Sequence, residues 1–263
     1  MSRALGLIFA ILCYAIFFAT FLYLIGFVGD LSFMPKTVNA PPSGMAPVAA
    51  AVVDVALIAL FGLQHSIMAR PAFKRGWTRM VPPALERSVY VLAASIALLI
   101  LFALWQPIGK AIWTVRPDTM GWLYGILWAL FWVGFGIVLV STFLINHFEL
   151  FGLQQAWFNL RSRQAAAPEL RQPGFYRWVA HPLYAGFFLA FWATPRMTVG
   201  HLLLAVALSI YMLIAIRFEE HDLTNVFGEN YRRYRSGVGM LIPRFGRRSG
   251  AAAPASPTET VRS

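Results

Sequence analysis

ALGLIFAILCYAIFFATFLYLIGFV, Ala4 to Val28, carries no ionisable acid or base apart from the weakly acidic Cys13 and two tyrosines. An α-helix rises 1.5 Å per residue, so this segment can cross a hydrocarbon core about 30 Å thick. Four further stretches have the same character: Met45 to Met68, Ser88 to Trp105, Gly121 to Ile145 and Val199 to Ile216. A shorter apolar run, Pro182 to Thr194, ends at Pro195, Arg196 and Met197. It is too short for a full crossing and reads as one arm of a tight helical hairpin or a broken helix. The first stretch exceeds the apolar region of a signal peptide, and no small-residue cleavage site follows it.

Composition agrees. Of 263 residues 59% are hydrophobic and 13% charged, whereas soluble domains carry roughly a quarter charged residues, so a soluble globular chain is excluded. The expected fold is an all-α integral membrane protein: about five transmembrane helices, a short helical-hairpin arm and a cytoplasmic C-terminal helical segment. No segment alternates with the period of two that a membrane barrel needs. The lone cysteine, Cys13, excludes an internal disulfide and any CxxC motif. A formal charge of +11 is read as setting topology and lipid contact, with no nucleic-acid partner. Positive charge gathers between Ala69 and Arg87, between Asn146 and His181, and beyond Arg217. Cationic loops stay inside. This places both termini in the cytoplasm, and the membrane is taken to be the bacterial inner membrane. Residues 1–248 read as one transmembrane domain, and 249–263, rich in Ala, Pro, Ser and Thr, as a disordered tail.

Polar groups near spanning helices are costly and therefore candidates for function. They collect at one membrane face. His65 ends the second span, Asn146, His147 and Glu149 end the fourth, His181 opens the short arm, and Glu219, Glu220, His221 and Asp222 follow the last span. Asp54, near the middle of the second span, suits pairing with a neighbouring helix as well as chemistry, and His201 reads as structural. Walker, Rossmann, HExxH, GxSxG and CxxC patterns are absent. His65 and His147 at one depth also leave open a haem- or quinone-associated protein.

From Gly174 the chain reads GFYRWVAHPLYAGFFLAFWATPRMTVGHLLLAVALSIYMLIAIRFEEHDLTNVFGENYRRYRSGVGMLIPR. This resembles the C-terminal signature of the isoprenylcysteine carboxyl methyltransferase and phospholipid methyltransferase superfamily. The matching positions are His181, Pro182, Tyr184, Gly186, Glu219, Glu220, Leu223, Phe227, Gly228, Tyr231 and Tyr234. One departs: where the family carries arginine before the histidine, this chain has Ala180, and Arg177 is the nearest cation in sequence. FGLQHSIMARPAFKR, VPPALERSVY and STFLINHFELFGLQQ extend the likeness over nearly the whole chain to the methanethiol S-methyltransferase branch, which methylates a small thiol to dimethyl sulfide.

The resemblance implies an S-adenosyl-L-methionine site in about residues 174–244. Arg177, His181, Pro182, Tyr184, Gly186, Glu219, Glu220, Tyr231 and Tyr234 are its candidate residues. Carboxylates suit the donor's ammonium or ribose, and a guanidinium from Arg177, Arg232 or Arg244 suits its carboxylate. Tyrosine faces suit adenine or the sulfonium, and the helix start at Pro182 offers free amides. Methyl transfer aligns a nucleophile with the methyl carbon, and a thiolate attacks better than a thiol. His65 and His147 are the candidate catalytic bases, with Glu86 and Glu149 as partners and no metal site. A small apolar thiol can enter sideways from the lipid. A prenylcysteine or phospholipid acceptor is the alternative within the superfamily.

Overall fold

The computed structural model describes residues 2–163 and 170–244. The tail expected to be disordered, 249–263, lies outside them. In chain order the helices are α1 (Arg3–Val28), α2 (Pro47–Ala69), α3 (Pro71–Trp77), α4 (Glu86–Leu104), α5 (Pro117–Ile145), α6 (His147–Leu150), α7 (Leu153–Leu160), α8 (Pro182–Trp192), α9 (Val199–Phe227) and α10 (Glu229–Gly237). Strands β1 (Ala111–Thr114) and β2 (Arg196–Thr198) pair antiparallel, and 3-10 turns precede α4 and α8. Five helices are long and apolar enough to span a membrane. Large apolar side chains along them, such as Leu5, Ile8, Leu12, Val52, Leu63, Ile126 and Ile210, point outward and are exposed, as a lipid solvent requires and water would penalise. The protein is an all-α integral membrane protein.

Helix starts follow local chemistry. Prolines open α2, α3, α5 and α8, where the missing N–H costs nothing and φ is already set for a helix. The break between α5 and α6 falls at Asn146, whose side chain accepts from the Glu149 amide and turns His147 back toward the bundle. The short arm is α8, joined to α9 through β2. The last span extends further than its apolar run: α9 continues past Ile216 to Phe227, 29 residues in all, or about 43 Å. Glu219, Glu220, His221 and Asp222 therefore lie on the spanning helix itself. Helical hydrogen bonding continues past the membrane boundary, where the composition changes but the backbone geometry need not.

Packing runs round an open ring. α1 lies on α4, α4 on α2, α2 on α9, α9 on α8, and α8 on α5. The α5–α8 contact is the closest: a Cβ on Gly186 would stand 2.6 Å from the Gly134 carbonyl oxygen, and one on Gly134 would stand 2.7 Å from the Ala190 nitrogen. Among the described residues α5 and α1 make no comparable contact. Side chains bridge that seam: Phe21 edge-on to Phe135, Phe17 stacked on Phe151 at 3.9 Å, and Tyr14 hydrogen-bonded to His147.

Opposite the histidine-rich end, β1–β2 closes the bundle. Asp30 accepts from Thr37 and Asn39, and Thr198 donates to Asn39 at 2.6 Å. Asp54 accepts from the Gln106 amide at 2.7 Å, tying α2 to the chain just beyond α4. His201 donates to the Phe191 carbonyl. Both residues are buried and tie elements together.

Candidate active site

The ring encloses a cavity of about 400 Å³, within the usual range for small-molecule sites. Its depth is apolar, walled by residues such as Phe21, Phe61, Leu98, Phe187 and Met212, and its polar end lies among the helix ends that carry the histidines. His65, His147, His181, Tyr184 and Glu219 all line it. The sequence candidates Arg177, Pro182, Gly186, Glu220, Tyr231 and Tyr234 do not.

All of these exclusions but that of Arg177 have a visible physical cause. Pro182 is the first residue of α8, and Gly186 sits in the α5–α8 contact, where only hydrogen fits. Glu220 stands one step behind the cavity: it accepts from His181 Nε2 at 3.1 Å and from the Arg235 guanidinium. Tyr231 is 2% exposed and packs beside Tyr234, whose hydroxyl donates to the Tyr176 carbonyl at 2.8 Å. This C-terminal segment is bound to the start of α8, because the amides of Ala180 and His181 donate to the carbonyls of Gly239 and Met240. The proposed carboxylate clamps are engaged elsewhere: Arg232 lies 3.7 Å from Glu229, and Arg244 donates to the Ser236 carbonyl.

The cavity has two polar walls. On α8 and α9, His181 stands with Glu220 at 3.1 Å and Glu219 at 3.9 Å, and the Tyr184 ring lies edge-on 5.8 Å from the imidazole. Tyr176, from the turn before α8, lines the same end, and burial beside Glu219 raises its phenol above the ordinary value. On α2 and α4, the Tyr90 hydroxyl lies 2.9 Å from Nε2 and 3.0 Å from Nδ1 of His65. One turn earlier on α4, the Arg87 guanidinium lies 5.6 Å from the Tyr90 ring centre.

Neither histidine takes the carboxylate partner expected of it. Glu86 faces Lys74 at 3.9 Å, and Glu149 accepts from the Asn146 amide group. His147 is held by hydroxyls instead: Thr142 at 2.8 Å from Nδ1 and Tyr14 at 2.8 Å from Nε2. Thr142 donates its single hydroxyl proton to the Leu139 carbonyl, so its oxygen accepts from Nδ1–H, and Nε2 accepts from Tyr14. Burial holds His147 below the ordinary imidazole value. It is a neutral latch across the α1–α5 seam with both nitrogens occupied, whereas His65 faces the cavity with hydroxyl contact from Tyr90 alone.

Sequence reasoning missed Arg87, Tyr90, Tyr176 and Arg235. The i, i+3 spacing of Arg87 and Tyr90 places them on one helix face, a signal available in ERSVY. Arg87 instead counted only as loop charge. Arg235 was one of several arginines in YRRYR, and which of them turns inward depends on how α10 packs.

An open helical ring in the membrane, with a cationic wall across from a carboxylate and imidazole wall and an apolar depth between, defines a membrane protein that can seat a charged ligand beside an apolar one. The chain is 48% identical to the methanethiol S-methyltransferase of Mycobacterium tuberculosis, over 92% of this chain and 98% of that protein. It is 48% identical to that of Pseudomonas deceptionensis over 95% and 94% of the two chains, and 46% to that of Crocosphaera subtropica over 95% and 96%. It belongs to the methanethiol S-methyltransferase family. No family model matches the chain, and no solved structure does.

Proposed function

We propose that the protein transfers a methyl group from S-adenosyl-L-methionine to methanethiol, releasing dimethyl sulfide. The observation that carries this reading is the near-full-length identity to proteins of that name, joined to a cavity whose walls suit the two substrates differently. The α8–α9 wall fits the donor: Glu219 for a cationic group, with Tyr176 and Tyr184 as flat faces. Glu220 and Arg235 hold His181 from behind. A donor of that size takes most of about 400 Å³ and leaves room for a small acceptor. Bound there, the donor supplies an electrophilic methyl group on a sulfonium sulfur.

On the opposite wall His65 takes the thiol proton, and Tyr90 fixes the ring that receives it. Phe61, packed 5.3 Å from the His65 ring, and the apolar depth exclude water from the nucleophile. On this reading the arginine-rich connections face the cytoplasm, where the donor is available, and the membrane is the bacterial inner membrane. Residues 1–248 act as one domain on this reading.

Purified protein in detergent, given methyl-labelled donor and methanethiol, is expected to release labelled dimethyl sulfide. Folded protein that yields none rejects the assignment. A prenylcysteine and a phospholipid offered in parallel test the alternative acceptors. The haem reading is disfavoured because both nitrogens of His147 are already hydrogen-bonded inside the protein.

A further inference from the structure

Arg87 is the only lysine or arginine that lines the cavity among the described residues. No described carboxylate lies within ion-pair distance of it, since the adjacent Glu86 turns to Lys74. A guanidinium held at a largely apolar cavity without a counter-ion attracts an anion. The other charged and titratable groups around the cavity are distributed by wall. α2 brings His65 and α4 brings Tyr90, with the Lys74–Glu86 pair behind them. On α9 are Tyr211, which meets Ser66 of α2 at 3.3 Å, and Glu219; α8 brings Tyr184, and His181 and Tyr176 precede it. The lining residues of α1 and α5 are apolar or threonine, and His147, just beyond α5, is held neutral by its two hydroxyl partners. A sulfonium cation is attracted to Glu219, which draws the donor to the α8–α9 side. Arg87 stands on α4 one turn from Tyr90, the partner of His65, so the anion formed beside that base meets Arg87, and the donor's own carboxylate is the competitor that the test separates.

We infer that Arg87 holds the sulfur of the acceptor as a thiolate beside His65 and Tyr90. The inference rests on the methyl-transfer reading above. In the step it describes, the S–H bond breaks and its proton passes to a nitrogen of His65. The sulfur's electron pair then forms the new S–C bond, while the pair of the breaking bond stays on the donor's sulfur, leaving two neutral thioethers. The proton leaves His65 for solvent after turnover. Arg87 stabilises the thiolate that the first event creates, whose cost for an alkyl thiol at neutral pH is large, and its like charge drives the proton off His65 afterwards.

The test compares wild type, Arg87→Met and Arg87→Lys on two acceptors, methanethiol and the far more acidic 4-nitrothiophenol. With methanethiol at neutral pH, Arg87→Met is expected to lose about a hundredfold or more in kcat/KM, as loss of acid–base assistance commonly does. The loss should shrink as pH rises and be much smaller with the acidic thiol, while Arg87→Lys recovers part of it. A second readout needs no turnover. With S-adenosylhomocysteine present, the visible absorbance of bound 4-nitrothiophenolate follows ionisation of the probe. Its midpoint should lie lower in wild type than in Arg87→Met, and no higher in wild type than in water. The inference is overturned by a wild-type midpoint raised above water, by equal losses on both acceptors, or by reduced affinity of Arg87→Met for S-adenosylhomocysteine in equilibrium dialysis, which would assign Arg87 to the donor. Wild type that methylates neither thiol counts against the methyl-transfer reading itself.

Discussion

Tyr90 places its hydroxyl within 3.0 Å of both ring nitrogens of His65, so replacing either residue separates proton acceptance from ring positioning. His65→Gln keeps a polar side chain but loses the base. Its kcat on methanethiol is expected to fall by about 10²–10⁴-fold, with binding of S-adenosylhomocysteine unchanged. Tyr90→Phe keeps the base and frees the ring, so a smaller fall in the same assay is expected. An undiminished rate for His65→Gln would show that the proton goes elsewhere. His147 has a different expected signature. Its imidazole is neutral in the fold and titrates below the ordinary value of about 6.5, so the unfolded chain takes up the proton first as pH falls. The stability linked to this residue is complete above the ordinary value and is lost as pH drops from there toward the depressed one. Melting temperature in detergent should therefore fall less on acidification for His147→Gln than for wild type. A parallel acid limb in the two proteins would refute the neutral latch. His65, His147, His181 and Glu219, which line the cavity, stand out in the sequence as ionisable groups at helix ends against apolar spans, whereas Tyr184 comes from the family resemblance. Arg87 does not stand out, because a charge just before a span has the same appearance whether it faces lipid headgroups or the interior.

At the level of elements, all five spans and the short arm follow from hydrophobic length, which a bilayer enforces more strictly than a soluble core does. The C-terminal end of α9 was less legible, since its polar last turns are marked only by continued helical spacing. The β1–β2 pair was hidden too, because strands of three and four residues joined across more than eighty positions leave no local pattern. The signature glycine at 186 has the α5 backbone as its neighbour, so a motif position can be required by helix packing alone. Gly186→Ala is expected to destabilise the protein by about 1–3 kcal/mol through overpacking, read as a lower melting temperature in detergent. Catalytic constants of the surviving folded fraction should stay near wild type. If Gly186→Ala instead weakened donor binding with stability unchanged, the glycine would belong to the site.

For the molecule as a whole, the helix ring explains how chemistry with two unlike substrates fits one small bundle. α2, α4, α8 and α9 carry the polar walls, while α1 and α5 add the apolar flank. The five spans and the gathering of polar groups at one end of them were readable from the order of apolar and polar residues along the chain. Which helices adjoin, and that one pair is left apart, depends on packing at positions such as Gly134 and Gly186 that sequence cannot rank. Phe18 on α1 and Leu139 on α5 line the cavity on either side of the seam and are more than a third exposed, at 38% and 37%. Leu139→Trp is expected to raise KM for methanethiol supplied through vesicles while leaving KM for the donor unchanged. Equal changes in both would show that the two substrates share one route.

The seam between α1 and α5, spanned by side chains where the other neighbours pack helix on helix, would give the protein a doorway on its oily flank, separate from its watery mouth. On the proposed reaction the ionic donor and its spent form would exchange with the aqueous phase, while a gas-like thiol and its methylated product would come and go through hydrocarbon. Neither traffic would obstruct the other, and the bilayer itself would serve as reservoir for the volatile pair.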